Sequence, residues 1–102
     1  MFQTITPEEL QKKLKANESL HLIDVREPLE NAEFNIGGTL FPLGKIQSMQ
    51  IEDIEDLREE EVIVYCRSGA RSGQAAMILQ QLGFINVTNL SGGMVAWKEK
   101  IG

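Results

Sequence analysis

The chain has little of what disulfide-bonded, zinc-binding and membrane-spanning proteins require. Its 102 residues include one cysteine and one histidine. A single cysteine excludes a disulfide within the chain, and one cysteine with one histidine argues against a dedicated zinc site. No segment approaches the roughly 18 consecutive apolar residues of a membrane span. We therefore expect no metal and no membrane partner.

Positive charge is also scarce. Ten Lys and Arg residues stand against fifteen Asp and Glu residues, for a formal net charge of −5. Because nucleic-acid binding needs a basic surface stripe, we expect no nucleic-acid partner. The first residues lack the basic start and the apolar stretch of about 7–15 residues that mark a signal peptide. A cytoplasmic protein is the simplest interpretation, and reducing conditions there would keep a lone thiol usable.

The length predicts one domain over residues 1–102, in which helical and apolar segments alternate. Thr6, Pro7 and Glu9 form a capping-box pattern that predicts a helix to about residue 15. Short apolar or alternating runs predict strands at residues 20–25, 62–65 and 84–88. The segment 71–82 has helical periodicity, and Gly83 suits its C-terminal cap.

Strands that alternate with helices require crossover connections. We therefore predict an α/β fold with a small, mostly parallel sheet that has helices on both faces. The acidic run 51–61 has apolar residues at every third position and is interpreted as a short helix with a solvated face.

The only cysteine lies where a buried strand should meet a helix. Cys66 follows the apolar run 62–65, and the residues after it are Arg67, Ser68, Gly69, Ala70, Arg71 and Ser72. Backbone N–H groups at a helix start and nearby cations can lower a cysteine pKa from about 8.5 to roughly 3.5–7.5. A buried cysteine is often only a small apolar residue. The basic rim favours instead a nucleophile that binds anions.

Loop length helps to choose among cysteine nucleophiles. Four residues separate Cys66 from Arg71. Phosphatases with a cysteine nucleophile have one residue more before the Arg that clamps the phosphate. Ser72 stands at that place here, so a tetrahedral phosphate or arsenate should fit poorly.

Four segments of the chain together resemble the single-domain rhodanese sulfurtransferases. The segment 66–72 is similar to the family's active-site loop, and 22–28 to its Asp-Val-Arg segment. The segment 36–43 resembles its central Gly and Pro segment, and 91–97 its Gly-Gly-x-x-x-Trp motif. The four segments occur in the family's order and with its spacing, and the resemblance runs from about residue 4 to residue 97.

This resemblance implies sulfur transfer without a cofactor. Cys66 would be the catalytic nucleophile, which takes a sulfane sulfur as a persulfide and passes it to cyanide, a thiol or a protein acceptor. The six loop residues would bind the substrate, with Arg67 and Arg71 holding a small anionic donor such as thiosulfate. Asp24 and Arg26 would either support this loop or form a purely structural pair.

Two alternatives remain open at this point. A non-catalytic interaction module of the same fold is one, although Cys66 argues against it, and a cysteine-dependent phosphatase or arsenate reductase is the other. Asn35 takes the place of a His that many family members have in the central segment. We expect this difference to affect packing or partner contacts more than chemistry.

Overall fold

The structure, a computed structural model, describes residues 2–16 and 20–102. Within these ranges the chain forms five strands and five α-helices. In chain order they are β1 (Gln3–Ile5), α1 (Pro7–Lys15), β2 (His21–Asp24), α2 (Pro28–Glu33), β3 (Thr39–Leu40), α3 (Leu43–Gln47), β4 (Val62–Tyr65), α4 (Ala70–Gln81), β5 (Val87–Leu90) and α5 (Gly93–Lys100). A 3-10 helix, Glu52–Leu57, lies between α3 and β4.

The strands form one parallel sheet in the order β1-β5-β4-β2-β3. The central strand, β4, pairs with β2 on one side and with β5 on the other. All four of its residues are buried. The carboxyl end of β4 therefore opens at the middle of the sheet edge, where parallel α/β sheets place their ligands.

Alternate side chains of β4 enter two separate hydrophobic cores. Val62 and Val64 pack with residues of α3 and α4, including Ile46 and Leu79. Ile63 and Tyr65 point to the other face, where α1 and α5 cover the sheet and β1 and β5 add one core residue each. This alternation follows from the two-residue period of a strand. The predicted α/β fold with helices on both faces is thus confirmed.

The predicted capping box begins α1. The Glu9 amide donates to Thr6 Oγ1 over 3.1 Å, and the Thr6 amide donates to Glu9 Oε1 over 2.9 Å. Pro7 lies in the first turn, where a backbone N–H would have no partner within the helix. The missing N–H of proline therefore costs no helical hydrogen bond. The helix ends at Lys15, as the pattern predicts.

The structure differs from the expectations in the strand after α4 and in the small elements. The run 84–88 is not one strand, because the Phe84 and Ile85 amides donate to carbonyls of Leu79 and Arg58. Phe84 instead packs in the core beside α4, and pairing begins at Val87. The helix predicted in the acidic run is the shorter 3-10 helix. The sequence patterns did not reveal β1, β3, α2 or α3.

The described helices are short. The longest, α4, has 12 residues. Within residues 2–16 and 20–102, no helix has the length and apolar character needed to cross a membrane.

Candidate active site

Cys66 lies directly after β4 and is 1% exposed. The chain then turns into α4, whose N-cap is Gly69 with φ +103°. This left-handed conformation is costly for residues with a Cβ, so the turn favours glycine. The strand-to-helix turn places the sulfur under the first amides of α4.

Three hydrogen-bond donors converge on the sulfur. The Gly69 amide lies 3.1 Å from Cys66 Sγ, the Ser72 amide 3.4 Å and Ser72 Oγ 3.3 Å. Burial by itself would raise the pKa of the Cys66 thiol, because it penalises the charged form. Hydrogen bonds from Ser72 and from the Gly69 and Ser68 backbones outweigh burial and lower this pKa below its ordinary value. The site therefore stabilises a thiolate.

A buried asparagine, which our sequence analysis missed, holds the loop from the neighbouring strand. Asn89 Nδ2 donates to the Gly69 carbonyl over 3.1 Å, and Ser72 Oγ donates to Asn89 Oδ1 over 2.5 Å. Asn89 lies on β5, beside the end of β4. The sequence signal that could have identified it is an amide side chain in the run Val87–Leu90, at the end of the predicted strand region.

The N-terminus of α5 fixes the loop from another side. The Met94 amide donates to the Cys66 carbonyl and the Val95 amide to the Arg67 carbonyl, each over 2.9 Å. A Cβ on Gly93 would lie only 2.4 Å from the Cys66 carbonyl oxygen and 2.6 Å from that of Arg67. The Gly-Gly part of the C-terminal motif therefore has a structural cause, since α5 reaches the loop backbone only without a side chain at Gly93.

The two loop arginines have different surroundings. Both terminal nitrogens of Arg71 donate to the carboxylate of Glu30 on α2, each over 2.8 Å. The Arg71 guanidinium lowers the pKa of Glu30 to about 2, so the pair stays ionised at neutral pH. Arg67, by contrast, is exposed. Ser68 and Ala70 are also exposed. The predicted substrate-binding residues that bond the sulfur are Gly69, Ser72 and, through its backbone, Ser68.

The predicted pair Asp24 and Arg26 forms a buried, two-pronged ion pair. Arg26 Nε and one terminal nitrogen donate to the two oxygens of Asp24, over 2.9 Å and 2.8 Å. Asn31 of α2 donates to the same carboxylate over 2.8 Å, and Arg26 also donates to the Phe34 carbonyl. These contacts hold α2, which carries Glu30. The pair reaches the cysteine loop through α2 and the Glu30–Arg71 pair, and the Arg26 guanidinium also lies 5.7 Å from the ring centre of Tyr65, the residue before Cys66.

Asn35 lies in the exposed turn after α2. Its side chain accepts from the Gly37 amide and donates to the Asn31 carbonyl, each over 2.9 Å. These bonds shape the turn and do not involve the cysteine loop.

An open groove of about 590 Å³ runs beside Arg67, between α2 and α5. Its charged lining contains three cations and three carboxylates, and these are Arg26, Arg67, Lys98, Glu30, Glu33 and Glu99. The apolar side chains of Phe34, Met94 and Val95 complete it. A groove of mixed charge and some apolar surface suits a ligand larger than a simple anion.

No group of three or more His, Cys, Asp or Glu residues among residues 2–16 and 20–102 is placed to hold a metal ion.

Comparison with known proteins shows which family has this arrangement. The sequence profile of the rhodanese-like domain matches residues 6–100. The chain belongs to the rhodanese-like domain family. A sulfurtransferase of Allochromatium vinosum is 37% identical over 97 residues, which cover 95% of this chain and 89% of the relative. A putative mitochondrial thiosulfate sulfurtransferase of Schizosaccharomyces pombe is 39% identical over 103 residues, which cover 90% of this chain and 72% of the relative.

Solved rhodanese-like structures share the fold. The crystal structure of a rhodanese-like domain protein from Staphylococcus aureus is 30% identical, with a TM-score of 0.82. The match covers 94% of this chain and 91% of that one. The resemblance inferred from the four sequence segments is confirmed, and this rhodanese-like chain is a member of a family of sulfurtransferases.

Proposed function

We propose that this rhodanese-like protein transfers sulfane sulfur through a persulfide on Cys66. The observation that carries the proposal is the convergence of three hydrogen-bond donors on one buried sulfur. Such donors stabilise negative charge on sulfur, which the attacking thiolate carries first and the persulfide carries afterwards. The loop needs neither a base nor a cofactor for this chemistry.

Each half of the reaction balances without an outside oxidant or reductant. The Cys66 thiolate attacks the outer sulfur of thiosulfate, and the bond between the two thiosulfate sulfurs breaks. Its electron pair leaves on sulfite, and Cys66 becomes a persulfide anion. Cyanide then attacks the terminal sulfur of the persulfide. Thiocyanate leaves, and the Cys66 thiolate is restored.

Arg67 is the side chain we assign to attraction of an anionic donor. It is exposed beside the loop, whereas the guanidinium of Arg71 already binds the Glu30 carboxylate. In this proposal Arg71 orders the loop and contributes charge at longer range, and the backbones of Ser68, Gly69 and Ser72 contribute to binding the transferred sulfur. The name of the fission-yeast relative supports thiosulfate as a donor.

The acceptor is proposed to approach through the groove beside Arg67. Its three cations, three carboxylates and apolar residues suit a thiol compound or a protein segment that carries both signs of charge. A reducing, cytoplasmic setting would keep Cys66 as a thiol between transfers.

The same contacts weigh against the alternatives. An interaction module would gain nothing from donors that stabilise a thiolate at Cys66. A phosphatase needs an Arg with both prongs available for phosphate oxygens, and Glu30 occupies those of Arg71. Release of phosphate from an aryl phosphate, dependent on Cys66, would restore the phosphatase alternative.

The test is an intact-mass measurement on purified protein after incubation with thiosulfate. We expect a gain of one sulfur atom, which cyanide removes as thiocyanate and which is absent from Cys66→Ser. If neither thiosulfate nor a low-molecular-weight persulfide adds sulfur to the wild-type chain, the proposal is wrong.

A further inference from the structure

The hydroxyl group of Ser72 faces two acceptors but has a single proton. Ser72 Oγ lies 3.3 Å from Cys66 Sγ and 2.5 Å from Asn89 Oδ1. All three residues are buried, with Ser72 0%, Cys66 1% and Asn89 8% exposed, so a hydrogen bond lost among them is costly. Because a hydroxyl donates one hydrogen bond at a time, it serves either the amide or the sulfur.

The orientation of the Asn89 amide decides which end faces Ser72. Asn89 Nδ2 donates to the Gly69 carbonyl over 3.1 Å, and a carbonyl can only accept. Oδ1 must therefore be the atom toward Ser72, where it can only accept the hydroxyl proton. The short 2.5 Å contact is consistent with this direction.

We propose that Asn89 is a positioning residue that holds the Ser72 hydroxyl proton while Cys66 is a thiol and releases it to the sulfur when Cys66 becomes a thiolate. In the thiol state the S–H group can donate to Ser72 Oγ, which donates in turn to Asn89 Oδ1. On ionisation the thiol proton leaves to water, the hydroxyl rotates, and its proton bonds the sulfur anion. Asn89 Oδ1 then loses its donor.

In this proposal, ionisation of Cys66 breaks the hydrogen bond from the Ser72 hydroxyl to Asn89 Oδ1. Each time the thiolate forms, a buried amide oxygen loses its partner, and losing a buried hydrogen bond is unfavourable. Asn89 thus keeps the thiolate less stable than the loop alone would make it. The charged groups beside the site are Arg67 and the Glu30–Arg71 pair on the loop and α2 sides, and Arg26, Glu33, Lys98 and Glu99 in the adjoining groove. The residues of β5 itself carry no charge.

The experiment measures the pKa of the one thiol from the pH dependence of its alkylation by iodoacetamide. Asn89→Leu has nearly the same shape and removes the acceptor. We expect the Cys66 pKa of Asn89→Leu to fall by about 0.5–1 unit relative to wild type, since ionisation no longer costs the amide its bond. Asn86→Leu makes the same change at an exposed position just before β5 and should leave this pKa unchanged.

Asn89→Leu also removes the bond to the Gly69 carbonyl, so the substitution is repeated in the Ser72→Ala background. There the hydroxyl is absent, and only the effect of the lost Gly69 contact remains. The proposal is supported if Asn89→Leu lowers the Cys66 pKa by about 0.5 unit or more when Ser72 is present and does not lower it in the Ser72→Ala background. Equal shifts in the two backgrounds, or a higher pKa only when Ser72 is present, would overturn it.

If circular dichroism shows that Asn89→Leu does not fold, Asn89→Ala replaces it. The four proteins compared are then wild type, Asn89→Ala, Ser72→Ala and the double variant. The inference concerns the cysteine of the proposed function, but alkylation does not require sulfur transfer. If the pKa shift does not depend on Ser72 but the protein still forms the persulfide, only the role of Asn89 is rejected. If the pKa shift depends on Ser72 as expected but no persulfide forms, only the proposed reaction is rejected.

Discussion

The cysteine loop has two sources of positive potential, which differ in position and in what they contact. The inner donors are the Gly69 and Ser72 amides and the Ser72 hydroxyl, all within hydrogen-bonding distance of the sulfur. The outer arginines are Arg67, which is exposed, and Arg71, which is paired with Glu30. The inner donors, two backbone amides and one hydroxyl, contact the sulfur directly and act on the ionisation of Cys66. The outer arginines act on what approaches from solvent.

Displacing the inner donors should have the largest effect. Gly93→Ala would place a Cβ against the carbonyl oxygens of Cys66 and Arg67 at a residue whose φ is +55°. Because the loop backbone must move, we expect a loss of about 2–3 kcal/mol in the free energy of unfolding. Since small displacements at a reacting atom are costly, sulfur transfer should fall about a hundredfold. Urea unfolding and thiocyanate production measure the two effects.

The matched control for this substitution is Gly44→Ala. Gly44 lies in α3, where a Cβ would meet no atom within 4 Å. Stability and activity should stay near the wild-type values or improve slightly, because alanine favours helix. Wild-type activity in Gly93→Ala would show that the inner donors do not depend on the packing of α5 against the loop.

Removing an outer arginine should have a smaller effect, confined to donor binding. For Arg67→Ala we expect the KM for thiosulfate to rise about two- to fivefold, since exposed charges contribute under about 1 kcal/mol. The kcat should be nearly unchanged, and the KM difference should shrink in high salt. Arg67→Lys, which keeps the charge, is the control. A large fall in kcat with an unchanged KM would instead place Arg67 among the groups that act on the reacting sulfur.

A similarly small effect, on stability and not on donor binding, is expected for the ion pair of Glu30 with Arg71. The pKa of Glu30 is lowered from 4.5 to about 2, so its stabilising effect is complete above pH 4.5 and is lost as the pH falls toward 2. Both side chains are about one third exposed, and solvent screening limits the contribution to about 1 kcal/mol. At neutral pH the free energy of unfolding of wild type should exceed that of Glu30→Gln by this amount.

Urea titrations at several pH values test this prediction. The difference between the two proteins should narrow steadily below pH 4.5. A difference that stays constant down to about pH 2 would show that Glu30 stabilises the loop by packing and not by its charge.

Local patterns explain why the sequence predicted the strand and the helix on either side of Cys66. The apolar run of β4, the loop glycine and the helical period of α4 are adjacent in the chain, so their order alone predicts a strand, a turn and a helix around Cys66. The capping box of α1 is equally local. These features need no knowledge of which distant residues meet.

Three of the missed features, β1, the Glu30–Arg71 pair and the role of Asn89, depend on long-range contacts. Gln3 of β1 pairs with Thr88 of β5, and only Ile5 of β1 is buried, so a three-residue strand gave no pattern of its own. Glu30 and Arg71 are 41 positions apart, and nothing in either segment names the other as its partner. Asn89 meets Ser72 only because parallel pairing brings the ends of β4 and β5 together.

The contact between α5 and the loop has a consequence for the order in which the chain is made. The Met94 and Val95 amides bond the carbonyls of Cys66 and Arg67, so they orient the peptide groups on either side of the cysteine. Cys66 is synthesised before these amides, which lie 28 and 29 positions further along the chain. Until α5 has docked, the peptide groups on either side of the cysteine lack these two bonds, so folding of the C-terminal segment completes the loop.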